Sequence, residues 1–335
     1  MRKPPKFWSD PDGGMTPFAI ALAPFAGLYG VGAKLKARFT KAERLPKPVI
    51  CIGNVTLGGV GKTPFTAMLA KRLQDMGQAP HIVSRGYGGK EKGPLRVQQD
   101  HGAEQVGDEP LLLARSAPVW VAAKRPMGGE QAIIEGADCI LLDDGFQNPS
   151  LHKDFSFLLI DAEEGFGNGV GFPAGPLRER PEDARDRAQC VVFVKPHKDY
   201  EMVGGLRRFA RNIETLYAWL EPDMRGLDKG ARYFAFCGIG RPERFFETLE
   251  RLGLDLRERQ SFGDHHPYRE EELRDLIIAA KTAKAIPITT EKDLMRIPAS
   301  LRGQIATLPV RMMVDRPEAL DAMLGPVLDP PRAKA

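Results

Sequence analysis

A chain of 335 residues, 42% hydrophobic and 27% charged, is not composed like a disordered protein and is long enough for two domains with separate cores. Its net charge of +4 is uneven: residues 1–47 hold nine Lys or Arg against three Asp or Glu, so the rest sums to −2. An acidic body argues against a nucleic-acid-binding core. The four cysteines have neither metal-ligand nor redox spacing and the six histidines form no zinc signature, so buried reduced thiols are expected.

The first element is an arm. From Gly13 to Ala33 no residue is charged, and Lys34, Lys36, Arg38, Lys41, Arg44 and Lys47 follow. Apolar length followed by clustered cations suits a helix lying on an anionic bilayer. Three other readings stand beside it. One is an ordinary core helix. Another is a spanning helix, disfavoured by Pro17, Pro24 and several glycines. The third is a cleaved signal ending at the "ALA" of 21–23, where Asp10 and Asp12 sit badly.

Next come apolar runs bounded by Gly, Pro or Asp: 48–55, 79–86, 118–123, 139–144, 155–162 and 190–195. They are mostly β-branched and do not alternate, as in strands buried on both faces. Helical patterns such as 63–77 separate the early runs, which predicts a parallel sheet layered by helices. A second set follows: a strand over 231–240, helices over 241–253 and 269–283, and a strand over 285–290. Runs 214–222 and 305–315 read as strands flanking this smaller unit, or linking it to the first. The fold class is therefore α/β. A P-loop NTPase-like parallel sheet domain (46–213) carries a smaller α/β domain with linker strands (214–325), behind an N-terminal membrane-associated helix (arm, 1–45).

Between the first strand and its helix lies "GNVTLGGVGKTP" (53–64). Gly61-Lys62-Thr63 ends a phosphate-binding loop, although Thr56 replaces the first glycine of the usual pattern. Backbone N–H groups from Thr56, Leu57, Gly58, Gly59, Val60 and Gly61 can cradle phosphate, with Lys62 on the β/γ-phosphates and Thr63 on Mg²⁺. Pro64 falls in the first helical turn, where it costs nothing. "CILLDDGFQ" (139–147) ends a buried run in Asp143 and Asp144, one of which is expected to hold Mg²⁺ directly or through water. Taken alone, that end is equally a turn signal. Leu57 stands where ParA/MinD-like ATPases carry lysine, and "TEKD" (290–293) lacks the spacing of a guanine motif.

Seven segments occur in order: "GNVTLGGVGKTP", "SRGYGG" (84–89), "VGDEP" (106–110), "LLDDGFQ" (141–147), "PAGPLRE" (173–179), "DHHPY" (264–268) and "TTEKD" (289–293). Together they resemble the tetraacyldisaccharide 4′-kinase family of lipid A biosynthesis, from the arm to about residue 315. The resemblance implies ATP and Mg²⁺ as cofactors and a lipid disaccharide 1-phosphate as acceptor. It also implies two domains closing over nucleotide, and placement on the cytoplasmic face of the inner membrane, peripheral or monotopic. No nucleic-acid partner is expected, and the chain is expected to act as a monomer.

The resemblance makes Asp108 the base for a sugar hydroxyl and His265, or the adjacent His266, its partner. By sequence alone Asp108 is an ordinary N-cap and His265 a loop residue. Tyr87, Glu109, Arg125 and Arg178 are further candidates for substrate or phosphate, Glu109 also for metal. Glu179 is a candidate for the metal or its surroundings, and Gln147 for the γ-phosphate region. Lys292 and Asp293 match the family without a role that the residues define. A membrane-recruited P-loop ATPase, hydrolysing ATP as a switch for a protein partner, is the alternative.

Overall fold

The computed structural model of the chain describes residues 5–8, 16–202 and 204–329. Asp10, Asp12 and the start of the apolar stretch at 13–15 lie outside the described residues. The large sheet is built from β1 (Val49–Asn54), β2 (Pro80–Ser84), β3 (Leu95–Arg96), β4 (Val119–Val121), β5 (Cys139–Asp143), β6 (Phe155–Asp161), β7 (Cys190–Lys195) and β8 (Glu214–Pro222). The small sheet is built from β9 (Arg232–Cys237), β10 (Asp255–Ser261), β11 (Ile286–Thr290) and β12 (Ala306–Leu308), and β13 (Val310–Val314) returns to the large one.

The large sheet runs β13-β8-β7-β6-β1-β5-β2-β4-β3, parallel except at its two edges, and the small one runs β10-β9-β11-β12. β1 lies between β5 and β6, where the strand order reverses. In open parallel sheets ligands bind beyond the carboxyl ends of strands at such a reversal.

All six residues of β1 are buried. Ile50 and Ile52 pack with Phe65, Leu69 and Leu73 of the Lys62–Asp75 helix. Val49 and Cys51 pack on the opposite face with Leu142, Leu158 and Val191. A strand with helices on both faces has no polar side to show, which explains its unalternating pattern.

The runs 214–222 and 305–315 link the two units and do not flank the small sheet on both sides: β8 pairs with β7, β12 within the second run joins the small sheet, and β13 pairs antiparallel with β8. The chain thus leaves the large lobe through β8 and re-enters it through β13. The Pro317–Leu328 helix then packs Leu320 and Leu324 into the large core. β10 has no counterpart among the expected strands. Its sequence, DLRERQS, is almost wholly exposed at a sheet edge, where charge discourages further pairing and removes the apolar pattern.

The arm forms the Pro17–Phe39 helix, started by Thr16, whose hydroxyl accepts from Ala19 N–H at 3.3 Å, and by Pro17. It is not a core helix, since only Ala19 is buried, while Phe18, Phe25, Leu28, Val31 and Phe39 are exposed. Its length and apolar composition are compatible with membrane association. It is held to the body by Tyr29 against Phe172, ring centroids 5.5 Å apart, and by Lys34 on Asp183 at 2.8 Å. Trp8, ahead of the helix, packs edge-on to the same Phe172 at 6.0 Å.

The lobes are clamped at Asp161, the last residue of β6. Its buried carboxylate accepts from Arg241 at 2.6 Å and from Arg244 at 3.0 and 3.1 Å, both from the small lobe. Burial alone would raise its pKa, but the Arg241 charge and the Arg244 hydrogen bond and charge outweigh it and hold it low. Asp161→Asn leaves two half-buried guanidinium groups short of an acceptor, and should lower unfolding stability by ~2–4 kcal/mol. Urea unfolding checks this; a loss under ~0.5 kcal/mol would reduce the clamp to the value of a surface pair.

Candidate active site

The phosphate loop joins β1 to the Lys62–Asp75 helix. Gly61 caps that helix at φ +88°, a conformation that favours glycine, and a Cβ there would meet Met312 at 3.1 Å. Gly58 and Gly59 face open space, with nothing within 4 Å of an added Cβ. The loop therefore offers an unobstructed backbone concavity at a helix N-terminus, which fits a phosphate. Its entry is stitched down: Leu57 N–H donates to Pro176 O at 2.7 Å and Arg178 N–H to Val55 O at 2.7 Å, with Thr56 bridged to Leu177.

Lys62 donates to Asn54 Oδ1 at 3.1 Å and lies 3.6 Å from Asp144. Asn54 also donates to Thr56 O at 2.8 Å, and Gln147 donates to Asn54 O at 2.7 Å. The loop is thus tied to the end of β5. Asn54 lies inside the quoted motif, yet sequence alone gave it no role, because its partners belong to the folded turn.

Asp143 and Asp144 diverge, as adjacent residues at a strand end do. Asp143 is buried and accepts from the Thr66 hydroxyl at 3.2 Å. Thr66 follows Thr63 by three positions, hence on one helix face, a spacing that could have marked it. Burial, with the charges of Glu109 and Asp144, pushes the Asp143 carboxyl up to about 7. Asp144 sits at φ +51° and takes both its oxygens to Arg178 at 3.0 Å. Burial opposes its charge, but Lys62 and Arg178 outweigh burial and hold its pKa low.

Glu179 accepts from Gln147 at 3.0 Å and pairs with Arg187, and the same Gln147 accepts at 3.3 Å from the Arg178 that holds Asp144. Among the described residues no three His, Cys, Asp or Glu side chains converge on a metal position. Oxygen donors from Thr63, Asp143 and Asp144 fit Mg²⁺, which takes one or two carboxylates beside phosphate and water. Arg125 is buried, donates to Ala122 O at 2.7 Å, and keeps Nε without a partner; Arg178 Nε is likewise unpartnered. Buried guanidinium N–H groups lacking acceptors within reach of the Asp143 and Asp144 charges fit an anionic ligand.

The second cluster spans the lobes. Asp108 opens the Asp108–Leu113 helix behind Gly107, whose φ is +92° and where a Cβ would strike Tyr87 O at 2.5 Å. The glycine lets that helix start directly against the Tyr87 turn. His265, on the loop after β10 at φ +57°, places Nδ1 2.9 Å from Asp108 Oδ2, and the Tyr87 ring lies edge-on to the imidazole at 5.5 Å. His266 turns away to Glu272 at 2.7 Å and stacks on Phe262. The geometry therefore pairs Asp108 with His265 and not with His266.

Asp108 is buried, which alone would raise its pKa. The hydrogen bond from His265, then the charges of Lys292, His265 and Arg296, outweigh burial and hold it low. Arg296 Nε lies 3.3 Å from Asp108 Oδ2, and Lys292 donates to Glu109 at 2.8 Å. Neither cation was given a role by sequence; the large-lobe carboxylates they meet lie more than 180 positions away.

A family model described as LpxK, tetraacyldisaccharide-1-P 4′-kinase, matches residues 18–329. A tetraacyldisaccharide 4′-kinase of Rhodospirillum centenum is 45% identical over 330 residues, 97% of each chain. One from Paramagnetospirillum magneticum is 44% identical over 310 residues, 92% of this chain and 93% of its own. A crystal structure of the "apo" form of LpxK from Aquifex aeolicus in complex with ATP, at 2.2 Å, aligns with a TM-score of 0.75 and 28% identity, covering 93% of this chain and 99% of that one.

A carboxyl whose folded pKa is raised stabilises the fold at low pH and loses that contribution as pH rises toward the raised value, here from about 4 to about 7. Without metal, Asp143→Asn should therefore leave stability little changed near pH 4 and raise it by about 1–3 kcal/mol at pH 8. Denaturant unfolding at the two pH values checks this. Equal effects at both would show that Asp143 stays ionised throughout.

Proposed function

The chain belongs to the tetraacyldisaccharide-1-P 4′-kinase family, and we propose that Asp108 and His265 carry its chemistry on nucleotide held by the 56–63 loop. The enzyme is an ATP-dependent kinase that phosphorylates a tetraacyldisaccharide at its 4′ position in lipid A biosynthesis. The observation that supports the residue assignment is the buried Asp108 carboxylate, 2.9 Å from His265 across the lobe interface.

The 4′-hydroxyl of the disaccharide 1-phosphate is a weak nucleophile until its proton has an acceptor. Asp108, kept ionised by its surroundings, takes that proton as the oxygen bonds to the γ-phosphorus. The bond from the γ-phosphorus to the bridging oxygen breaks, and its electron pair leaves with ADP. The lipid product is the 1,4′-bisphosphate of the lipid IVA type. His265 donates to the carboxylate and then shares the incoming proton. Lys62 exchanges Asn54 and Asp144 for phosphate oxygens. Arg178 and Arg125 offer their unpartnered N–H groups to phosphate, with Gln147 and Glu179 bracing the phosphate loop from behind. Thr63, Asp143 and Asp144 would hold Mg²⁺, whose charge would offset that developing on the transferred group. Tyr87 and Glu109 border the space where the sugar reaches Asp108.

The test follows label from γ-labelled ATP into detergent-dispersed tetraacyldisaccharide 1-phosphate. Label should enter the lipid, and Lys62→Ala should abolish transfer. Asp108→Asn should lower kcat by about 10²–10⁴-fold while ATP affinity holds. A change confined to KM would make Asp108 a binding residue. Label found only as free phosphate would favour the ATPase switch.

The exposed apolar helix and the cations behind it support a peripheral or monotopic seat on the cytoplasmic face of the inner membrane. Removing residues 1–33 should move the protein from the pellet of anionic vesicles to the supernatant. Undiminished co-sedimentation would assign membrane binding to another surface.

A further inference from the structure

The segment "TTEKD" at 289–293 holds three charged side chains that the reaction above does not use, among them Lys292 and Asp293. Asp293 is internal to the small lobe. It is fully buried and accepts from Gly238 N–H and the Tyr268 hydroxyl at 2.9 Å each, and from Arg296 at 2.6 Å. Thr290 caps the Glu291–Leu294 helix by accepting from Asp293 N–H at 3.1 Å. Asp293 and its cap thereby fix the direction of Lys292, which points out of the lobe.

Lys292 crosses to the large lobe. Its Nζ donates to Glu109 Oε1 at 2.8 Å and lies 3.3 Å from His265 Nε2. An ammonium has donors only, so the imidazole nitrogen that faces it must be the acceptor. Nδ1 then carries the ring proton, and it is Nδ1 that lies 2.9 Å from Asp108 Oδ2. One cation thus selects the tautomer that lets the histidine donate to the carboxylate.

We propose that Lys292 is a positioning residue for the transfer step: by donating to His265 Nε2 and Glu109 together, it fixes the imidazole as the Nδ1–H tautomer aimed at Asp108 and holds the two lobes in register there. The proposal rests on the reading of Asp108 and His265 as the reacting pair. A mere tie between lobes would need only the Glu109 contact. The second contact, to the far nitrogen of the histidine, is what a tie does not require. It also leaves Nε2 occupied, so the carboxylate is the group that meets the substrate proton.

The experiment uses the full chain as wild type, Lys292→Met, Lys292→Arg and Asp108→Asn, with ¹⁵N-labelled histidine. Steady-state kinetics are read alongside the His265 ring nitrogen shifts. In the wild type the two nitrogens should be well separated, with Nδ1 protonated. Lys292→Met should bring them together as the tautomers mix. It should lower kcat by about 10-fold or more, a share of what positioned proton transfer contributes, with the ATP KM within about twofold. Lys292→Arg, which keeps donors at that place, should restore the separated pattern and part of kcat, and it carries the test should Lys292→Met fail to fold. An unmoved nitrogen pattern in Lys292→Met overturns the proposal whatever happens to kcat. So does a kcat loss matched by a proportional rise in ATP KM. If Asp108→Asn is inactive while Lys292→Met turns over normally, only the role of Lys292 falls. If Asp108→Asn turns over normally, the reacting-pair reading falls with it.

Discussion

The site depends on keeping one carboxylate charged inside the protein. Asp108 is buried, and an ionised carboxylate out of water is tolerable only when cations and hydrogen bonds replace its hydration. The large lobe supplies little of this: among the described residues its hydrogen bond to Asp108 comes from the Glu109 N–H at 2.9 Å. His265, Lys292 and Arg296 all come from the small lobe. The groups that keep this carboxylate ionised therefore reach it from the other lobe, and under the proposed role of Asp108 the base would be complete only where the two lobes meet.

The buried Asp161 and Asp108 carboxylates each anchor a charge cluster that joins the lobes, and the two clusters differ in what they can do. At Asp161 the carboxylate ends β6 and both guanidinium groups are spent on it and its acidic neighbours. That cluster is satisfied within the protein and holds shape. At Asp108 the partners include a histidine, whose proton can move, and a nearby tyrosine ring that is half exposed. The phosphate side repeats the contrast. Asp144 is fully engaged by Arg178 and faced by Lys62, while Asp143 carries a raised pKa and only a hydroxyl partner. The carboxyl left short of cations is the one a divalent metal would satisfy.

The phosphate loop, the strand-end aspartates and the alternating body were legible because each is local. β1 ends in glycines and a helix begins at Lys62, all within one short stretch. Burial on both faces writes itself into β1, β5 and β6 as unbroken apolar runs. What stayed illegible was long-range or exposed. β10 is an edge strand whose charges imitate a loop. β8 and β13 look like companions of the small sheet because they flank it in sequence, yet they pair with each other in the large one. Lys292 and Glu109 are 183 residues apart, so no spacing rule could join them. The choice between His265 and His266 turned on backbone geometry: adjacent residues point apart, and only one reaches Asp108.

The arm and the phosphate loop share a single connecting loop. The Trp8 indole donates to Pro173 O at 3.2 Å, and Trp8 and Tyr29 both pack on Phe172. Phe172 N–H donates to Leu177 O at 2.8 Å, Leu57 N–H to Pro176 O, and Arg178 N–H to Val55 O. Arg178 then holds Asp144. Seven residues, Phe172 to Arg178, therefore run from the aromatic seat of an apolar helix to the carboxylate beside Lys62, hydrogen-bonded at both ends. A kinase whose acceptor is anchored in a bilayer must set the height of its phosphate loop above that bilayer. A flexible tether would leave the height to chance and cost orientation in the transfer step. Here the exposed apolar helix is packed on the loop that is hydrogen-bonded to the 53–63 segment, so the placement of the helix and that of the Lys62 site are coupled through one short, stitched segment.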